Sequence, residues 1–240
     1  MCYLVFPMND YFVRSRNLQK SFLFILPLLI LYETGIIIYG SDVKNAADFL
    51  VKSPLEVFGK NATFLFNSLV VVFSFCSIFY IEKKNRFNCR IFIPMFLESA
   101  IYAFLLGYGV LFLVYGYLPL AATGISSKSL LGGVILSLGA GVYEEIFFRL
   151  FILSGLCFAF VKVGKLNTFI GTCLGIILSA AVFSSMHYIG ETGDSFTTYS
   201  FLFRFAAGVI LAVIFALRGL GIAIYTHAIY DILVVLRASN

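Results

Sequence analysis

Charged residues are scarce in this sequence. They make up only 12% of its 240 residues, whereas hydrophobic residues make up 61%. Because a soluble domain is roughly one quarter charged, the composition excludes a water-soluble fold. Several apolar runs reach the length of about 20 residues with which a helix crosses a bilayer. The chain is therefore predicted to be an integral membrane protein that satisfies its backbone hydrogen bonds within helices.

The sequence also lacks cysteine clusters. Its five cysteines are scattered along the chain, odd in number and never spaced as C-x-x-C. Neither a disulfide framework nor a thiolate metal site is indicated. No H-E-x-x-H segment, the helix signature of zinc peptidases, is present either. We therefore predict no metal site and no other cofactor.

The net positive charge does not indicate a nucleic-acid partner. The formal net charge is +5, but Lys and Arg lie mainly in short loops beside apolar runs. Charges in such loops reflect the orientation of a membrane protein. Ten Lys and Arg fall on the side of the N-terminal tail and five on the opposite side. This difference predicts a cytoplasmic N-terminus and an outside C-terminus, in the cell (inner) membrane.

The apolar runs predict an all-α, polytopic transmembrane bundle of about seven spans, in a single domain covering residues 1–240. The first run follows Arg14, Arg16 and Lys20 without a small-residue cleavage site, so it is expected to remain as a signal-anchor. Residues 40–61 mix charged and apolar side chains and suit a segment lying at the membrane interface. The fourth span is long enough to be broken or strongly tilted. The predicted spans are Ser21–Tyr39, Ala62–Ile81, Ile91–Leu118, Leu130–Phe160, Thr168–Ile189, Ser200–Leu217 and Leu220–Leu236.

A few ionisable residues enter these spans. A charge near the bilayer centre costs at least about 2.5–3.5 kcal/mol on insertion scales, so each one needs a partner or a function. Glu33 is expected to cap a kink or to face a cavity, and Glu98 and Arg204 to pair with other polar groups or to reach a membrane boundary. The others are Glu144, Glu145 and Arg149 in the fourth span, His187 at the end of the fifth, and His227 and Asp231 in the seventh.

Helix geometry predicts different roles for the two adjacent glutamates. Glu145 and Arg149 are four residues apart with the acid first, so they are expected to form an intrahelical ion pair. Glu144 lies about 100° round an α-helix from Glu145. Glu144 is therefore expected to aim at a separate polar pocket.

The two histidines, the only ones in the chain, complete a set that suits hydrolysis. His227 and Asp231 are four residues apart and point from one helix toward one place, and Phe183 is expected to form an apolar wall beside His187. A buried glutamate can act as a general base on water while a nearby imidazole orients that water. A second imidazole with a hydrogen-bond donor beside it can stabilise the oxyanion of a tetrahedral intermediate.

Three short motifs occur in order, each on its own predicted span. They are E-E-x-x-x-R at Glu144–Arg149, F-x-x-x-H at Phe183–His187 and H-x-x-x-N/D at His227–Asp231. With these motifs the sequence resembles the CAAX protease and bacteriocin-processing family of intramembrane glutamic endopeptidases, which includes the type II CAAX prenyl endopeptidases. The resemblance covers about residues 130–236, and the first three spans resemble the family only in being hydrophobic.

The resemblance implies a hydrolytic site in a water-accessible cavity between the fourth, fifth and seventh spans. Glu144 and His187 would activate the attacking water, and His227 and Asp231 would form the oxyanion site. Because an ionised Asp231 would repel an oxyanion, this residue is expected to be protonated there or to orient His227 instead. The implied substrate is a membrane-associated protein or peptide, lipidated or anchored at its C-terminus.

Other functions would use the same residues. Glu144, His187 and His227 could supply a two-His, one-carboxylate set to zinc in a metal-dependent intramembrane protease. Intramembrane Glu and His could also relay protons in a transporter, although the sequence has no inverted repeat. A non-catalytic immunity or scaffold protein is the third alternative. Aspartyl and serine mechanisms are not favoured, because no Gly-x-Gly-Asp partner exists and no rhomboid-like Gly-x-Ser-x segment stands on another span.

Overall fold

The protein is helical wherever regular structure is found in the computed structural model, which describes residues 10–39, 52–59, 61–83, 89–115, 130–189 and 193–239. The main helices are α1 (Asp10–Ser15), α2 (Leu18–Tyr39), α3 (Ala62–Lys83), α4 (Phe92–Tyr115), α5 (Leu130–Val163), α6 (Thr168–Met186), α7 (Thr198–Arg218) and α8 (Leu220–Ala238). Short 3-10 helices, Ser53–Phe58 and Cys89–Ile91, lie shortly before α3 and α4.

Seven of these helices, α2 to α8, are long and apolar enough to cross a membrane. The prediction of an all-α bundle with about seven spans is therefore confirmed, and most predicted boundaries agree within three residues. The predicted end of the third span and most of the predicted interfacial segment fall on residues 116–118, 40–51 and 60, which lie outside the described residues.

Local residues set the starts of α6 and α7 and the boundary between α7 and α8. The side chain of Asn167 caps α6 by accepting a hydrogen bond from the N–H of Phe169, and Thr197 caps α7 in the same way. Gly219 separates α7 from α8 with a φ of 89°, which glycine adopts without the steric cost of a Cβ atom. Two antiparallel spans therefore join through a single residue.

The helix α8 lies at the centre of the bundle. Every residue from Leu220 to Ala228 is buried, and α8 packs against α2, α4, α5 and α7. By contrast, α3 packs mainly against α2 and exposes most of its apolar side chains, as a lipid-facing helix does. The polar residues that α8 carries are consequently held inside the protein.

The three charged residues of the spans that lie outside the motifs, Glu33, Glu98 and Arg204, all have ion-pair partners in the fold. In addition to its ion pair, Glu98 on α4 accepts a hydrogen bond of 2.6 Å from the hydroxyl of Tyr11, and its partner Arg218 donates one of 3.0 Å to Ser15. These contacts join α1 to the corner between α7 and α8. The ion pairs are Glu33–Lys52, Glu98–Arg218 and Arg204–Asp194.

The long helix α5 is continuous, but it contains two stretches of π-helical turns. They span Ala140–Leu153 and Phe158–Val163. A π turn closes its hydrogen bonds over five residues instead of four, and such turns are frequent at functional sites. The first stretch carries all three charged residues of the E-E-x-x-x-R motif, so their directions differ from those in an ideal α-helix.

A glycine allows α5 to approach α8 closely. A Cβ atom on Gly141 would lie 2.6 Å from the Cβ atom of Ala228 and 2.8 Å from its backbone nitrogen. We expect Gly141→Ala to lower the free energy of unfolding by about 1–3 kcal/mol, because the two backbones must separate. Unfolding in a denaturing detergent measures this loss.

Gly155 on the same helix is the matched control for this substitution. A Cβ atom there would meet nothing within 4 Å. Gly155→Ala should therefore leave stability unchanged or raise it slightly, since alanine favours a helix over glycine by about 1 kcal/mol. Equal losses in the two variants would contradict the close contact between α5 and α8.

Candidate functional site

His227 on α8 is held by a carboxylate of α5. Its Nδ1 atom lies 2.8 Å from the Oε1 atom of Glu145, and both residues are buried. A carboxylate accepts but cannot donate, so with Glu145 ionised the hydrogen atom sits on Nδ1. This contact fixes the orientation of the imidazole and leaves Nε2 on the opposite edge of the ring.

Two further carboxyl groups face the Nε2 edge of His227. The Oδ2 atom of Asp231 lies 3.5 Å from Nε2, and the Oε2 atom of Glu144 lies 3.9 Å from it. The shared direction of His227 and Asp231, predicted from their spacing, is confirmed. The prediction of a separate pocket for Glu144 is wrong, because Glu144 and Glu145 approach opposite nitrogens of one ring.

The π turns of α5 explain that difference. The prediction placed the two glutamates about 100° apart, as in an α-helix. Both residues lie inside the π-helical stretch Ala140–Leu153, where the turns are wider and side chains are spaced differently round the axis. Two consecutive carboxylates can therefore both reach the α8 histidine.

Arg149 supports Glu145 from the same helix. Its Nη1 atom lies 3.0 Å from the Oε1 atom of Glu145, and both side chains are almost completely buried. The predicted intrahelical ion pair is therefore confirmed. Arg149 also donates a hydrogen bond of 3.4 Å to the carbonyl of Gly208 on α7. The same glutamate oxygen contacts both Arg149 and His227, which makes Glu145 the link between α5 and α8.

Phe183 on α6 forms the apolar wall of the site. Its ring centroid lies 4.9 Å from that of His187 and 6.2 Å from that of His227. The guanidinium carbon of Arg149 lies 4.5 Å from the centroid of the same ring, close enough for a cation–π contact. Phe183 therefore lies beside His187, as its spacing predicted, and its ring also faces the other histidine.

His187 stands immediately after α6, where it caps the helix. Its Nδ1 atom lies 2.9 Å from the carbonyl oxygen of Phe183, one turn earlier. The helix therefore ends about one turn before the predicted end of the fifth span, and His187 lies at its end, as predicted. The ring of Phe183 lies between His187 and His227 in a chain of ring contacts, while the action of His187 on water together with Glu144 stays a prediction.

The segment after His187 is tied back to α7. The N–H of Asp194 donates a hydrogen bond of 2.9 Å to the carbonyl of His187. Arg204 pairs with the carboxylate of Asp194 and donates a hydrogen bond of 3.0 Å to the hydroxyl of Tyr188. The partner of Arg204 could not be predicted from the sequence, because the pairing depends on how Asp194 and α7 come together in the fold.

We expect Arg204→Met to lower kcat about tenfold while KM stays within about twofold, because His187 loses part of its support. The ion pair is partly exposed, with Asp194 42% exposed, so the loss of unfolding free energy should stay below about 1 kcal/mol. Steady-state kinetics and detergent unfolding measure the two effects.

Arg237→Met is the control for this prediction, since it removes an exposed arginine at the far end of α8. It should leave kcat unchanged. Asp194→Asn should reproduce the effect of Arg204→Met, and the double variant should be no worse than either single variant. Additive losses would show that the two residues do not act as a pair.

A metal-binding group of His, Cys, Asp and Glu is not found among the described residues. Glu145 lies at the Nδ1 atom of His227, and Glu144 and Asp231 both face its Nε2 atom. These residues form an acid–base cluster. Such a cluster can hold, donate and accept protons in the interior of a membrane protein.

A comparison with known families matches residues 126–233 to a family described as "Type II CAAX prenyl endopeptidase Rce1-like". The matched residues include all three motifs and most of the four helices α5 to α8. No curated protein and no solved structure gives a significant match. The family match agrees with the resemblance carried by the motifs and with the seven apolar helices. The match therefore supports the membership of this chain in the CAAX protease family.

Proposed function

We propose that the protein is an intramembrane glutamic endopeptidase that hydrolyses a peptide bond of a membrane-associated protein or peptide. One observation carries this proposal. Glu144 and Asp231 face the free edge of an imidazole whose other nitrogen is fixed by Glu145. A general base and a hydrogen-bond donor for an oxyanion thus stand side by side in a buried site.

In the proposed reaction Glu144 is the general base. It takes a proton from water while the water oxygen attacks the carbonyl carbon of the substrate. Glu144 lies 3.9 Å from the Nε2 atom of His227, a distance at which one water molecule can bridge both groups. His187, one ring away across Phe183, would orient the water from the α6 side.

His227 and Asp231 would stabilise the oxyanion. With its Nδ1 hydrogen directed at Glu145, His227 donates from Nε2 only as an imidazolium. If Asp231 also carries a proton, the cluster has no net charge. The positive charges of Arg149 and His227 then balance the negative charges of Glu144 and Glu145. A protonated Asp231 is a donor instead of a repelling charge. Collapse of the intermediate returns the proton from Glu144 to the leaving amine.

The remaining predictions complete the proposal. The chain is a single integral membrane domain over residues 1–240 with its catalytic core at about residues 130–236, and it needs no cofactor. Its N-terminus is cytoplasmic, and it resides in the cell membrane. The substrate is lipidated or carries a C-terminal anchor, because a site built inside a bundle of apolar helices receives substrates from the bilayer.

The test is cleavage by the purified protein in liposomes. A panel of lipidated and C-terminally anchored peptides is incubated with the protein, the products are identified by mass spectrometry, and the metal content of the protein is measured. Cleavage without stoichiometric metal supports the proposal. Cleavage that follows the zinc content would replace it with a zinc protease, and ion-dependent flux without cleavage of any peptide would favour a transporter.

A further inference from the structure

A second buried ionic cluster lies outside the family-matched region. Lys52, in the connection between α2 and α3, has its Nζ atom 3.0 Å from the Oε1 atom of Glu33 and 2.9 Å from the Oε2 atom. Their side chains are only 2% and 0% exposed. A buried lysine is expensive even when it is paired, so its position inside a membrane protein points to a function.

Aromatic rings from three helices surround this ammonium group. Its nitrogen lies 5.3 Å from the ring centroid of Tyr32 on α2, 5.0 Å from that of Tyr143 on α5 and 5.9 Å from that of Phe66 on α3. All three distances allow cation–π attraction. Lys52 therefore attaches the connecting segment to three helices at once.

The cluster reaches the catalytic helix through Tyr143. The hydroxyl of Tyr143 donates a hydrogen bond to Glu33, and the next residue along the chain is Glu144. The two helices also approach closely, because a Cβ atom on Gly139 would lie 2.2 Å from the ring of Tyr32. Lys52, Glu33 and Tyr143 thus form a chain of contacts that ends beside the proposed base.

We propose that Lys52 is a positioning residue for Glu144, acting through Glu33 and Tyr143. This inference rests on the proposed function of Glu144. Tyr143 and Glu144 lie in the π-helical stretch Ala140–Leu153, and such rare turns are frequent at functional sites. The contacts of Tyr143 with Glu33 and Lys52 hold this stretch from the side of α2 and α3.

Tyr143→Phe tests the support without removing the ion pair. We expect kcat to fall about 10- to 100-fold while KM stays within about twofold, because displacing a catalytic group slightly is enough for such a loss. Lys52→Met should lower kcat at least as much. Tyr225→Phe is the matched control, since it deletes another buried tyrosine hydroxyl, which donates 2.9 Å to the carbonyl of Phe24, and it should leave kcat unchanged.

Hydrogen–deuterium exchange gives a readout that needs no activity. Exchange of the backbone amides of Ala140–Leu153 should accelerate in Tyr143→Phe and Lys52→Met, while that of α7 should not change. If exchange and kcat both match the wild type in Tyr143→Phe, the positioning role is wrong even where Glu144→Gln is inactive. If Glu144→Gln retains activity, the proposed function fails. Accelerated exchange confined to Ala140–Leu153 in Tyr143→Phe would still show that the Lys52 cluster supports this stretch.

Discussion

Glu144→Gln should lower kcat by about 10²- to 10⁴-fold, the range usually lost with a general base. The amide keeps the shape of the side chain, but it cannot take a proton from water. Because glutamine has nearly the same size as glutamate, the packing around this position is kept and the fold should tolerate the change. Single-turnover cleavage of an anchored peptide measures the effect.

Two further variants test whether this loss of activity is specific to the carboxylate of Glu144. Glu144→Asp keeps a base on a shorter side chain and should lose less activity than Glu144→Gln. Ser185→Ala removes an exposed hydroxyl within the F-x-x-x-H motif. This hydroxyl donates a hydrogen bond to the carbonyl of Ala181, and the variant should retain full activity. A Glu144→Gln protein that is folded and cleaves at the wild-type rate would exclude the glutamate as base.

Much of the fold was predictable from the sequence, because a long apolar run in a bilayer is expected to form a helix. Each run must form a helix that satisfies its own backbone, so the spans follow from length and composition. Local pairs were predictable for a related reason. Glu145 and Arg149 are four residues apart on one helix, and their ion pair of 3.0 Å depends little on the rest of the protein.

Contacts between distant segments were not predictable in this way. Glu98 and Arg218 are separated by 120 positions in the chain, and nothing in their local sequences selects one as the partner of the other. The same holds for Lys52 and Glu33, which are buried against each other. Such pairs depend on which helices become neighbours.

The site shows both situations. The motifs identified the residues of the site. The directions of Glu144 and Glu145, however, depend on π turns that no local sequence pattern predicted. His227 is consequently enclosed by three carboxyl groups instead of two. A site assembled in this way needs a fixed positive charge nearby, and Arg149 supplies it.

Arg149→Met should lower the free energy of unfolding by about 3–5 kcal/mol, because it removes the arginine of the buried ion pair and leaves the carboxylate of Glu145 with His227 alone. The guanidinium lies 3.0 Å from that carboxylate, with side-chain exposures of 1% and 0%. Activity should fall as well, since the same oxygen of Glu145 orients His227. Unfolding in denaturing detergent, combined with cleavage by the folded fraction, separates the two losses.

A double-mutant cycle tests the electrostatic origin of this loss. Glu145→Gln removes the buried charge but can still accept the hydrogen bond from His227, so Glu145→Gln with Arg149→Met should recover most of the stability, with a coupling energy of about 2–3 kcal/mol. Asp10 and Arg14 form the matched control, an ion pair of the same spacing at 3.2 Å with side chains 76% and 41% exposed. Arg14→Met should cost less than about 0.5 kcal/mol. If the double variant is as unstable as Arg149→Met alone, the loss comes from packing of the arginine against Phe183 and not from the unpaired charge.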